Sequence, residues 1–206
     1  MIRTLYLHGF ASSPQSSKAQ YLAARFAEQG RPLDIPDLNG PDFRQLTITA
    51  QLRIVEQCAA GEPVHLIGSS LGGWLAALYA ARHAEVQRLV LLAPAFGFPR
   101  LYAEWLGAER MEAWRRSGVL RVMHYAMGEE AELGWQFMED AQRYEDEPAI
   151  LQPCLIIHGT RDTVVPVQVS RQFARTCCEL REVDSDHELR DQVEEIWLAA
   201  RDFLSS

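Results

Sequence analysis

Val64-His65-Leu66-Ile67-Gly68-Ser69-Ser70-Leu71-Gly72-Gly73 is the stretch whose reading decides the fold. An apolar run of strand character ends at one glycine, and a second glycine four positions on leads into the helix-like run Leu75-Ala76-Ala77-Leu78-Tyr79-Ala80. The chain therefore turns sharply from a buried strand into a helix, with Ser70 at the apex. A turn this tight presses the residues two before and two after the apex against neighbouring backbone and leaves no space for a Cβ, which is the steric content of G-x-S-x-G. Ser70 is the candidate nucleophile, and Ser69 is read as a packing or turn residue. Two glycines and a serine arise by chance too readily to carry more than this; the flanks must supply the rest.

Working outward, Ile2–Leu7, Leu33-Asp34-Ile35, Arg88–Leu92, Leu155–Ile157 and Glu179–Val183 join Val64–Ile67 as six short strand candidates. Helical stripes lie between most of them. Ala19, Leu22, Ala23 and Phe26 follow Ser17-Lys18-Ala19-Gln20, which reads as a capping box, and Ile48, Leu52, Val55 and Ala59 form a second stripe ending at Gly61. A terminal helix carries Leu189, Val193, Ile196, Trp197, Ala200 and Phe203 on one face. Strands alternating with helices predict a parallel sheet with helices on both faces and a site at the carboxyl edge of the strands. Four chemically capable segments fall at that edge: His8-Gly9 after the first strand, Ser70 after the third, Asp162 after the fifth and His187 after the sixth.

These residues suit acyl transfer. A serine hydroxyl needs a general base at neutral pH, and His187, in Asp184-Ser185-Asp186-His187-Glu188, is the candidate. Asp162, in His158-Gly159-Thr160-Arg161-Asp162, is the acid expected to orient that histidine and stabilise its imidazolium. The chain order Ser, Asp, His is the one that accompanies a strand-turn-helix elbow. Asp184 and Asp186 stand too near His187 in sequence and are assigned to local loop bonding. For the oxyanion, the backbone N–H of Leu71 follows from the elbow, and the N–H of Phe10, after His8-Gly9, is the second candidate donor. His8 and His158 are read as loop supports, while His65, His83 and His124 form no chemical pattern.

Composition narrows the remaining classes. A chain of 206 residues, 48% hydrophobic and 23% charged, fits one α/β domain over 1–206. A net charge of −8 argues against a nucleic-acid partner or an anionic membrane surface, since either would favour a basic face. No apolar run approaches the roughly 20 residues that span a bilayer, and the first residues are too interrupted for a signal-peptide core, so a cytoplasmic location is expected. Cys58, Cys154, Cys177 and Cys178 lack C-x-x-C spacing and are read as reduced thiols; no metal site and no phosphate-binding glycine motif is present. Partner proteins and oligomeric state leave no readable mark.

Between Pro94 and Pro153 the alternation breaks. Phe96, Phe98, Tyr102, Trp105, Met111, Trp114, Met123, Met127, Trp135, Phe137 and Met138 crowd this segment, which predicts a small helical cap over 95–152. Such residues suit an adaptable apolar pocket wall, and equally the internal packing of the cap itself.

The chain as a whole resembles the α/β-hydrolase superfamily, and within it the compact YqiA-like serine esterases. The resemblance rests on Tyr6-Leu7-His8-Gly9-Phe10 with Ser12-Ser13-Pro14 and Ser17-Lys18-Ala19, on Gly68-Ser69-Ser70-Leu71-Gly72-Gly73, on His158-Gly159-Thr160-Arg161-Asp162, and on Asp186-His187. It implies a three-layer sandwich around a reduced sheet of about six parallel strands, a Ser70–His187–Asp162 triad with Phe10 and Leu71 as oxyanion donors, no cofactor, and hydrolysis of small-molecule carboxylic esters. A thioesterase or other acyl hydrolase would use the same residues, and a non-catalytic ligand-binding protein could share the fold.

Overall fold

The computed structural model describes residues 2–205, the side chains of Thr176 and Cys177 excepted, so the thiol expected at Cys177 lies outside the described residues. The elements follow in chain order: β1 (Arg3–Leu7), α1 (Ser17–Glu28), β2 (Leu33–Asp34), α2 (Ile48–Ala59), β3 (Val64–Ser69), α3 (Leu71–Ala80) and β4 (Val86–Leu92). An excursion then holds α4 (Phe98–Leu106), α5 (Ala108–Ser117), β5 (Val119–His124), β6 (Glu129–Gly134) and α6 (Gln136–Ala141). β7 (Cys154–Gly159), α7 (Val167–Cys177), β8 (Cys178–Val183) and α8 (Val193–Ser205) complete the chain.

Six strands form one sheet in the order β2-β1-β3-β4-β7-β8, and every pairing is parallel. Its faces are set by the two-residue period of the strands. Leu5, Leu7, Leu66, Leu89, Leu91 and Ile156 point into a core shared with α2, α3 and the excursion. Tyr6, Ile67, Val90, Leu92, Leu155 and Ile157 point into a second core closed by Leu22 and Phe26 of α1 and by Ile196, Trp197 and Ala200 of α8. Because both faces are covered, the strands read as nearly continuous apolar runs. This is a three-layer α/β sandwich. Sheet growth reverses direction at β1, which lies between β2 and β3, so the crevice outside the carboxyl ends of β1 and β3 is the topological switch point. Among the described residues no helix is long and apolar enough to cross a membrane.

Three local expectations change. Helix α1 has no side-chain cap: Ser16 stands at its N-cap without a capping hydrogen bond, and Gln20 donates instead to the Pro14 carbonyl at 2.8 Å. The last helix starts later than its apolar stripe, because Leu189 adopts a left-handed conformation (φ 54°) and a 3-10 turn over Arg190–Gln192 intervenes. The excursion, expected as a small helical cap, also contains the antiparallel hairpin β5–β6. Val119-Leu120-Arg121-Val122-Met123 supplies that strand's side chains on alternating faces, and Gly128 (φ 72°) closes its turn.

Candidate active site

The elbow is built by close backbone contact. A Cβ on Gly72 would meet the Leu7 carbonyl oxygen at 2.0 Å, and one on Gly68 would meet the Gly72 carbonyl oxygen at 2.3 Å. Absence of both side chains lets α3 start directly against the ends of β1 and β3. Ser70 is held at φ 55°, ψ −120°, a conformation costly for any residue with a Cβ. Its N–H donates to the Leu92 carbonyl at 2.9 Å, and its carbonyl accepts from Ala95 N–H at 3.0 Å, so the end of β4 and the loop after it hold the strained apex on both sides. Ala11, Ala93 and Leu189, three further non-glycine residues with positive φ, stand on the loops after β1, β4 and β8.

Three predicted side chains meet here. His187 Nε2 lies 3.0 Å from Ser70 Oγ, and His187 Nδ1 lies 2.7 Å from Asp162 Oδ2. With the carboxylate on its Nδ1 side, the imidazole carries its proton there and leaves Nε2 to accept from the serine hydroxyl. The other oxygen of Asp162, Oδ1, accepts from the N–H groups of Val164 and Val165, each at 2.8 Å. The Asp162 side chain is wholly buried. Burial by itself would raise its carboxyl, but hydrogen bonds from His158, His187 and Val165 N–H, with the electrostatic effect of His187, outweigh burial and hold it well below the ordinary carboxylate range.

His158, read from the sequence as a loop support, instead lies within β7 and bonds Asp162 directly. It is fully buried, and its Nε2 stands 3.1 Å from Asp162 Oδ2 and 2.9 Å from the Val165 carbonyl. Both neighbours are acceptors, so Nε2 carries the hydrogen and Nδ1 pairs with Ser170 Oγ at 2.7 Å. Asp162 is thus gripped from both sides by histidines. The only trace in the sequence is the i, i+4 spacing of His158 and Asp162 around a glycine. The loops bearing Asp162 and His187 are joined through backbone: Thr160 N–H donates to the Val183 carbonyl (2.8 Å) and Arg161 N–H to that of Ser185 (2.9 Å). Asp184 bonds Arg161 Nε at 2.7 Å, and Asp186 accepts from Glu188 and Leu189 N–H, local tasks both.

The loop after β1 runs beside Ser70, with an added Gly9 Cβ falling 3.4 Å from Ser70 Cβ. Among the described residues, neither Phe10 N–H nor Leu71 N–H donates to a protein acceptor. His8 braces this loop: its Nε2 accepts from Leu38 N–H at 2.9 Å, which leaves Nδ1–H to donate to the Gly9 carbonyl at 2.9 Å. The Phe10 ring packs among Phe43, Phe98, Tyr102 and Phe137, with centroids 5.5–6.1 Å away, and ties the loop to the excursion.

A cavity of about 760 Å³ opens over Ser70 and His187. Its apolar part is walled by Phe98, Leu101, Tyr102 and Trp105 of α4 and by Leu120 and Val122 of β5. Of the aromatic and methionine residues expected in the excursion, Phe98, Tyr102, Trp105 and Met123 line the cavity, whereas Phe96, Trp114, Phe137 and Met138 are buried in the core. Trp114 anchors the excursion internally, its Nε1 donating to the Leu133 carbonyl at 3.1 Å. His65 and His83 lie away from this cavity.

Comparison with known proteins agrees with this architecture. The model of an uncharacterised protein family (UPF0227) matches residues 3–204. No curated protein matches the chain. Among solved structures, mouse alpha/beta hydrolase domain-containing protein 10 superposes with a TM-score of 0.83 at 19% identity over 98% of this chain and 89% of its own. Est1E from Butyrivibrio proteoclasticus, in a structure with ferulic acid bound, gives 0.83 at 21% identity over 99% and 88%. A protein from Agrobacterium vitis S4 gives 0.83 at 26% identity over 98% and 87%. The shared architecture is the α/β-hydrolase fold.

Proposed function

We propose that this chain, which belongs to the uncharacterised protein family UPF0227 and to the α/β-hydrolase superfamily, is a serine hydrolase that cleaves carboxylic esters with apolar acyl groups. The observation that carries the reading is the unbroken hydrogen-bonded line from Ser70 Oγ, held in a strained turn, through His187 to Asp162.

In this mechanism Ser70 Oγ attacks the acyl carbonyl while His187 Nε2 takes its proton, and Asp162 stabilises the resulting imidazolium. The tetrahedral oxyanion is received by Phe10 N–H and Leu71 N–H; each such donor is worth on the order of 3 kcal/mol in the transition state. The imidazolium then protonates the departing alcohol. Water, deprotonated in turn by His187, releases the acid from the acyl-enzyme. The acyl group lies against Phe98, Leu101, Tyr102, Leu120 and Val122, whose apolar surfaces favour a hydrocarbon chain.

A fluorophosphonate probe tests the assignment: it labels the native protein and fails to label Ser70→Ala. Labelling undiminished in that variant overturns the reading. Matched oxygen esters and thioesters of one acid, turned over side by side, decide between esterase and thioesterase on the same residues.

A further inference from the structure

The reaction described above leaves one buried cation of the same cavity unused. Lys18, in the first turn of α1, lines the same cavity as Ser70 and His187 yet is only 9% exposed. Its Nζ makes one hydrogen bond among the described residues, 2.8 Å to the Glu188 carbonyl, next to His187. The anions around it are already engaged. The Glu188 carboxylate is paired with Arg190, Asp186 accepts two backbone N–H groups, and Asp162 is bound by His158 and His187. An ammonium drawn out of water without its own carboxylate is expensive, and its remaining donors favour an anionic acceptor.

Position supplies the second part of the argument. The leaving oxygen must receive its proton from His187 Nε2, so the leaving group occupies the part of the cavity flanked by the His187 loop. Lys18 stands on that side through its bond to the Glu188 carbonyl, and Ser12, Ser13, Ser16 and Ser17 of the neighbouring loop and helix start also line the cavity, whereas Phe98, Leu101, Tyr102, Leu120 and Val122 give it apolar surface. Resting on the hydrolase reading, we infer that the leaving alcohol carries a carboxylate, which Lys18 binds while the apolar wall holds the acyl chain. Lys18 is thereby a specificity residue for the alcohol half of the substrate. Burial, with Arg190 adding to it and Glu188, Asp186 and Asp162 opposing it, draws the lysine down to about 8, so it is charged at neutral pH and loses its charge in mild alkali.

The test uses two butyrate esters that differ in one group, those of 4-(hydroxymethyl)benzoate and 4-(hydroxymethyl)benzamide. Wild type is expected to show kcat/KM about tenfold to a hundredfold higher for the carboxylate ester, as for a charge-assisted hydrogen bond. In Lys18→Met the ratio of the two falls towards one. The ratio matters because loss of the prop on the Glu188 carbonyl would slow both esters alike, whereas loss of carboxylate binding slows only one. Wild type alone gives independent readings: the preference declines as pH rises past about 8, and free 4-(hydroxymethyl)benzoate inhibits competitively at concentrations where the benzamide does not. A wild-type ratio at or below one, or a ratio unchanged in Lys18→Met, overturns the inference. If Ser70 still reacts with the fluorophosphonate in that case, the hydrolase reading stands without it. A protein unlabelled at Ser70 and inert towards both esters removes both.

Discussion

At the scale of single residues, the site depends on how a buried carboxylate is kept ionised. Asp162 receives two backbone N–H groups on one oxygen and two histidines on the other, so replacing it disturbs more than the His187 tautomer. Asp162→Asn is expected to lower kcat by about 10⁴-fold with little change in KM, since the amide leaves His187 in the wrong tautomer; steady-state kinetics on a neutral ester checks it, and a loss below tenfold contradicts the orienting role. His158→Phe removes one of the two histidine donors and leaves Ser170 without its partner, at a cost of about 1–3 kcal/mol in denaturant unfolding. It is also expected to slow fluorophosphonate labelling of Ser70, which a purely structural role would leave alone. Ser70, Asp162 and His187 were legible because each stands just past a recognisable strand, in the chain order that goes with an elbow. His158 was not, since a histidine inside an apolar strand looks the same whether it faces a hydroxyl and a carboxylate or simply fills space.

At the scale of elements, the excursion between β4 and β7 shows how composition can mislead about form. Its aromatic and methionine residues indicated an apolar wall, but the helical reading missed β5–β6, whose half-exposed strands carry arginine and glutamate opposite one another. A short two-stranded ribbon needs support from neighbouring elements. Here α5 provides it, through Trp114, which is buried, bonded to the Leu133 carbonyl and set edge-on to Trp135 at 5.1 Å. Trp114→Ala is expected to cost about 3–5 kcal/mol, as for other large-to-small core changes. The measurement is the chemical-denaturation midpoint, with the ester chain-length profile as a second readout, because Leu120 and Val122 of β5 line the cavity over Ser70. A drop in stability below 1 kcal/mol would contradict the anchoring role.

Across the whole molecule, the charge state of buried histidines links stability to pH. His65 lies inside β3, and burial, with Arg31 and Arg88 nearby, lowers it from 6.5 to about 4. A histidine whose folded value is depressed contributes stability that is complete above its unfolded value and is lost as pH falls from 6.5 towards 4. His8, lowered chiefly by burial, acts in the same direction. Asp162 adds a later loss, below the ordinary carboxylate value of 3.8. The melting temperature is therefore expected to hold between pH 7 and 8 and to fall steadily below about 6.5. Scanning calorimetry on His65→Leu should give a shallower fall, and an identical slope would show that other groups set it. By itself the sequence determined the parallel sheet, the elbow at Ser70 and the strand ends bearing His8, Asp162 and His187, because period-two apolar runs and glycines forced by steric contact are local properties of the chain. Only the tertiary structure decided that His158 grips Asp162, that the excursion carries a hairpin, and that Lys18 lies buried beside His187. Those outcomes depend on distances between residues far apart in the chain, such as the 170 positions between Lys18 and Glu188, and packing alone sets such distances.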